Sequence, residues 1–128
     1  MRKTNNYKSK NYKRNTKNRT YKKKPTKHVN LVIGKIYADW CGYCQMMQND
    51  WDSLKRDLGE NKKIEFVEIE QKNEADGMNV VNTKHLNKSQ VKLSLQGGYP
   101  TVFKIRNGNL SYFNGERIYD AMKRWFLE

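Results

Sequence analysis

The chain is poor in the residues that staple, kink or ligate. Its 128 residues include two cysteines, two prolines and two histidines. Two cysteines cannot build the multi-bridge framework of a small secreted scaffold, and two histidines leave little for a nitrogen-rich metal site. No apolar run reaches the roughly 18 residues of a membrane-spanning helix. Acidic residues are missing from one region altogether: residues 1–28 hold 12 of the 26 Lys+Arg and none of the 13 Asp+Glu. The other 100 residues carry 14 basic and 13 acidic side chains, so the net charge of +13 is a property of the tail. The mean hydropathy of -1.07 has much the same origin.

Residues 1–28 lack Val, Ile, Leu, Phe and Trp and are made of Lys, Arg, Asn, Thr and Ser with Tyr7, Tyr12, Tyr21 and Pro25. Such a segment has nothing to bury against an ordering entropy of about 1–2 kcal/mol per residue, and it is read as a disordered basic tail preceding one domain, 29–128. Two readings of the tail stand side by side. It is an arm for nonspecific nucleic acid or another polyanion, with tyrosines able to stack on bases, or it is a solvated tail shaped by codon bias. Lys outnumbers Arg 19 to 7 and Asn occurs 15 times, which suits a low-G+C microbe or a large DNA virus. The tail has no apolar face, so a membrane-surface role is not expected. No apolar stretch follows the first basic residues, so they do not read as a secretory signal. The expected setting is a reducing, cytoplasmic one, or a virion if the source is viral.

The domain begins with a strand-like run, HVNLVIGKIYA (28–38), interrupted only by Gly34. Met47, Trp51, Leu54 and Leu58 then fall at helical spacing before Gly59, so a helix is predicted from Cys41 to Leu58. Ile64–Glu70 returns to alternation, with Ile64, Phe66 or Val67, and Ile69 as buried candidates. Residues 71–98 carry little pattern; Lys84–Leu95 is read as a short helix or irregular turns, ended by Gly97-Gly98. Thr101–Arg106 and Leu110–Phe113 flank Asn107-Gly108, a strong hairpin signal. Ile118, Met122 and Trp125 predict a closing helix. The order strand, helix, strand, irregular segment, hairpin, helix implies an α/β fold with a mixed sheet flanked by helices.

Cys41 and Cys44 are three apart, at the junction where the first strand ends and a helix begins. Unpaired N–H groups and the positive end of the helix dipole favour an anionic sulfur there. Cys44 lies one turn further on the same face, within bonding reach. The arrangement suits thiol–disulfide exchange, in which Cys41 attacks a disulfide and Cys44 resolves the mixed disulfide. Two other readings remain open: a zinc site, for which only His28 and His85 are nitrogen candidates, and a pair of inert core thiols.

The run Tyr37-Ala38-Asp39-Trp40-Cys41-Gly42-Tyr43-Cys44 resembles the active-site signature of the thioredoxin superfamily, most closely that of a protein disulfide isomerase catalytic domain. Gly98-Tyr99-Pro100-Thr101 is similar to the family's cis-proline loop. Arg106-Asn107-Gly108 resembles its hairpin, and Phe113-Asn114-Gly115-Glu116-Arg117 the approach to its last helix. Four landmarks in order over about 100 residues imply a thioredoxin-like fold with a mixed four-stranded sheet. The first strand and helix of that fold are not recognisable in residues 1–28. The resemblance implies dithiol–disulfide chemistry on protein thiols and disulfides, with a redox-active Cys41–Cys44 disulfide and no metal or other cofactor. It further implies a cis Pro100 beside the pair and a substrate surface of Trp40, Gly42, Tyr43, Tyr99 and Pro100.

The chain departs from the family at informative places. Six residues before Cys41 the family usually has a buried acid that takes the resolving thiol's proton; here the residue is Lys35. The family's partner lysine on the next strand is replaced by Glu68. The expectation is a charge-swapped Lys35–Glu68 pair beneath the cysteines, with Glu68 as candidate proton acceptor, or else a Lys35 that snorkels to solvent. Tyr43 stands where isomerases carry His. Arg117 matches an isomerase arginine that swings toward the resolving cysteine. The segment 71–98 is longer than its thioredoxin counterpart and lies just before Pro100, on the substrate side. The chain is thus expected to be a monomeric thiol–disulfide oxidoreductase, the other reading being a binding module anchored to a polyanion by its basic arm.

Overall fold

The computed structural model describes residues 29–128; the basic tail 1–28, with its expected disorder and polyanion binding, lies outside them. Eight elements follow in order. They are β1 (Leu31–Tyr37), α1 (Gly42–Leu58), β2 (Ile64–Glu70), a 3-10 turn (Gln71–Asn73), α2 (Glu74–His85), β3 (Thr101–Arg106), β4 (Asn109–Tyr112) and α3 (Tyr119–Leu127). The four strands form one sheet in the order β2-β1-β3-β4. β1 runs parallel to β2, joined to it through α1, and antiparallel to β3. β3 and β4 are an antiparallel hairpin. The mixed four-stranded sheet expected from the sequence is therefore present.

β1 is central, and six of its seven residues are buried. Alternation sends Leu31 and Ile33 to one face, where they meet Met47, Trp51 and Leu54 of α1, Met122 and Phe126 of α3, and Val102. Val32 and Ile36 face the other way, toward Ile69, Val81, Leu86, Leu93, Phe103 and Ile105. Gly34 does not weaken the strand. Its register partner is Phe103, and a Cβ at Gly34 would come within 2.2 Å of that ring's Cζ, so the phenyl group occupies the space the glycine leaves. Between β3 and β4, Asn107 (φ 51°) and Gly108 (φ 83°) both take positive φ, as a two-residue turn matched to strand twist requires.

Three expectations change. The 71–98 region carries an unmarked 12-residue helix, Glu74–His85; of the two readings of Lys84–Leu95 the irregular one holds for all but its first two residues, and Leu86 and Leu93 enter the core from that non-helical chain. Ile118 is not part of the α3 stripe: it is the exposed N-cap, and the fully buried residues are Met122 and Phe126, four apart, with Trp125 packed beside them. The second hairpin strand ends at Tyr112 rather than Phe113. No described helix is long and apolar enough to cross a membrane.

Candidate active site

Cys41 is the N-cap of α1. Its backbone is extended (φ -79°, ψ 117°), and its Sγ accepts the Cys44 backbone N–H at 3.1 Å. The sulfur thus stands at the tip of a 17-residue helix, where unpaired N–H groups and the dipole favour negative charge. The Cys41 thiol also lies 3.4 Å from the Tyr99 carbonyl oxygen. The Tyr99–Pro100 bond is cis, Pro100 is buried, and the proline ring brings no N–H to compete for that space. Both cysteines are free thiols, 5% and 3% exposed. Burial, helped by the hydrogen bond with Cys41, pushes the Cys44 thiol up to about 11; a backbone hydrogen bond with Ala38 and the Lys35 ammonium pull the other way. The two sulfurs therefore differ in place: one caps a helix beside the Tyr99–Pro100 loop, the other sits beneath it and resists ionisation.

The rim is exposed and tied down. Trp40 is 67% exposed, which removes ordinary core packing as its role. Its Nε1 donates to Gln71 Oε1 at 2.8 Å, and its ring meets Tyr99 edge-on at 5.8 Å. The Asp39 N–H donates to Glu70 Oε2 at 3.0 Å, and Gln45 Nε2 donates to the Asp39 carbonyl at 2.8 Å. Glu70 also accepts from the Lys72 N–H at 2.7 Å; these two backbone bonds hold its carboxyl below the usual carboxylate range. The Tyr99 hydroxyl donates to Glu74, and that bond raises its pKa. Tyr43 and Met46 stand out at 67% and 76% exposure, and the space a side chain would take at Gly42 is open.

The underside corrects the charge-swap expectation. Lys35 and Glu68 are register partners, but they form no ion pair: Glu68 pairs with Lys55 at 2.6 Å near the surface. Lys35 does not snorkel either, being 1% exposed. Its Nζ donates to Gln48 Oε1 at 3.0 Å and lies 4.6 Å from the Tyr37 ring centre and 5.1 Å from that of Trp51. Burying both charges together would desolvate two ions. An amide oxygen and two ring faces satisfy the ammonium instead, and Glu68 keeps its solvent. Burial lowers the Lys35 pKa, opposed by Glu68, Cys44 and Asp52.

Cys41, Cys44, Trp40, Gly42, Tyr43, Tyr99, Pro100 and Lys35 thus gather at one end of β1. Glu68 turns outward, and exposed Arg117 makes no hydrogen bond or ion pair with the cysteines. Sequence reasoning missed Gln48, Glu70, Gln71 and Glu74. Only Gln48 carried a usable signal, its place one turn after Cys44 on the same helix. His85 ends α2 at 3.4 Å from Glu65. Among the described residues no cluster of three or more His, Cys, Asp or Glu is placed to hold a metal ion.

A family model described as Thioredoxin matches residues 12–128. The chain is 28% identical over 96 residues to a "Putative protein disulfide-isomerase" of Schizosaccharomyces pombe, covering 74% of this chain and 17% of that protein. It is 27% identical over 94 residues to a "Thioredoxin domain-containing protein" of Theileria parva, covering 73% and 36%. It therefore spans well under half the length of these relatives. Among solved structures it is similar to the first thioredoxin domain of mouse protein disulfide-isomerase A4 (TM-score 0.51, 21% identity, 77% of this chain and 61% of that one). It is also similar to human ERp44 (TM-score 0.53, 19% identity, 77% and 27%).

Proposed function

The chain belongs to the thioredoxin family, and on that premise we propose that it is an oxidoreductase for protein thiols and disulfides, with Cys41 attacking and Cys44 resolving. The observation that carries this reading is the Cys41 sulfur at the α1 N-cap, bonded to the Cys44 N–H and touching the Tyr99 carbonyl. In the reducing direction the Cys41 thiolate attacks one sulfur of a substrate disulfide. The substrate's S–S bond breaks, and the other sulfur leaves with the electron pair. Cys44 then attacks Cys41 in the mixed disulfide, which expels the second substrate thiolate and leaves the Cys41–Cys44 disulfide. An internal thiol wins this second step because it needs no further encounter.

An extended substrate peptide fits beside the Tyr99–Pro100 turn, where backbone can pair with backbone. Trp40, Gly42 and Tyr43 give it an open apolar floor. The pair itself is the redox group, so the reaction calls for no metal or nucleotide.

The test is dithiothreitol-driven reduction of insulin. The full chain should accelerate it, Cys41→Ser should return it to the uncatalysed rate, and Cys44→Ser should accumulate a mixed disulfide at Cys41. A wild-type chain that leaves the rate unchanged, or a Cys41→Ser variant as fast as wild type, overturns the reading.

A further inference from the structure

We propose that Lys35 is a positioning residue for the second half of the exchange: its buried ammonium, held by Gln48 one helical turn below Cys44, is the positive charge against which the Cys44 sulfur ionises. The inference rests on the reading of Cys44 as the resolving sulfur.

The placement follows from two periodicities. Along β1, Leu31 and Ile33 point into the core under α1, and Lys35 is next in the same alternation. Along α1, Gln48 follows Cys44 by four residues, so the two side chains share a face. The amide of Gln48 is committed in both directions. Its Nε2 donates to Asp52 Oδ1 at 2.9 Å, and its Oε1 accepts from Lys35 Nζ at 3.0 Å. Lys35 is thereby fixed with its charge uncancelled, since no described carboxylate comes within ion-pair distance of it. The titratable groups around it are Tyr37 on its own strand, Cys44, Asp52 and Lys55 on α1, and Glu68 on β2. Of these, Cys44 alone must become an anion during the reaction, and it does so where water is scarce. Charges at short range in that setting interact far more strongly than in solvent. The burial that raises the Cys44 pKa is what Lys35 counters.

The step balances without a change in Lys35. In the mixed disulfide the Cys44 proton leaves to water, and the thiolate lone pair forms the Cys44–Cys41 bond. The bond from Cys41 to the substrate sulfur breaks, and that sulfur departs with the electron pair and takes a proton from water. The substrate gains two electrons and the cysteine pair loses them.

Dithiobis(nitrobenzoate) resolves the two halves by stopped flow: attack by Cys41 releases the first coloured thiolate and resolution by Cys44 the second. Lys35→Met should leave the first phase intact, slow the second about tenfold at pH 7, and move its pH midpoint up by about one unit. Lys35→Arg should recover part of the rate. A second phase in Lys35→Met with the wild-type rate and midpoint overturns the inference. So does a Glu68→Gln variant that slows the second phase more than Lys35→Met does, since proton transfer would then belong to that carboxylate. If Lys35→Met does not fold, Gln48→Glu keeps the lysine but gives it a carboxylate partner. It should raise the midpoint in the same direction, and an unchanged second phase there overturns the inference equally. Absence of the first phase in the wild-type chain would instead sink the oxidoreductase reading.

Discussion

The two faces of the sheet are built differently. On one, α1 and α3 lay Met47, Trp51, Leu54, Met122 and Phe126 over Leu31, Ile33 and Val102, with Trp51 edge-on to Phe66 at 5.8 Å and to Phe126 at 6.3 Å. On the other, α2 contributes one buried side chain, Val81, and much of the remaining cover is non-helical chain carrying Leu86 and Leu93. The helical face holds the cysteines and Lys35. The looser face sends its segment round to the rim, where Glu70, Gln71 and Glu74 hold Asp39, Trp40 and Tyr99. On the proposed reading, chemistry that needs fixed sulfur geometry sits on the face packed by two helices, and the recognition rim is tethered to the segment that covers the other face.

Two leucines put that contrast to the hardest test. Leu54 and Leu86 are both fully buried, but Leu54 lies mid-helix on α1 in the cluster shared by the sheet and α3, while Leu86 caps α2 and leads into irregular chain. Truncation costs more where the surroundings cannot collapse, within a range of about 2–5 kcal/mol for Leu→Ala. Leu54→Ala should therefore cost about 4–5 kcal/mol and Leu86→Ala about 2–3 kcal/mol in urea unfolding. Equal costs would break the contrast.

The rim sharpens it from the functional side. Tyr99→Phe removes only the hydroxyl bound to Glu74 and leaves the backbone carbonyl beside Cys41. The bond runs to a carboxylate that solvent can reach, which screens most of its strength, so KM for a peptide disulfide should rise only about threefold with kcat nearly unchanged. A tenfold fall in kcat would place the rim inside the chemistry.

The helical face was also the legible one. Met47, Trp51 and Leu54 announce α1 because three large apolar residues repeat at helical spacing, and the Asn107-Gly108 turn announces the hairpin. The cysteines, Trp40 and Pro100 were readable as a motif. α2 was hidden because a helix that buries only Val81 has no stripe to read. Ile118 misled because the same spacing serves an N-cap and a core position alike. The Lys35–Glu68 pair was placed correctly in register, yet register fixes Cα positions and not where long side chains end. Which carboxylate Lys55 would take, and that an amide would hold Lys35, depends on contacts between elements far apart in the chain.

The smallest expected effect concerns the acid that ties the rim to the sheet. Glu70 is half-buried, and its carboxyl lies below its ordinary value of 4.5 because the Lys72 and Asp39 N–H groups both donate to it. A carboxyl lowered by folding contributes stability above its unfolded pKa and loses that contribution as pH falls through the folded value. The tie should therefore be intact at neutral pH and open only in acid. The Asp39 amide resonance is the direct reporter, since its N–H is one of the two donors. It should titrate with a midpoint below 4.5 in the wild-type chain, and that titration should vanish in Glu70→Gln while global stability at pH 7 changes little. A midpoint at or above 4.5 would mean that solution does not keep these two bonds. The rim would then rest on the Trp40–Gln71, Gln45–Asp39 and Tyr99–Glu74 bonds, and the division between a fixed chemical face and a tethered recognition face would lose one of its tethers.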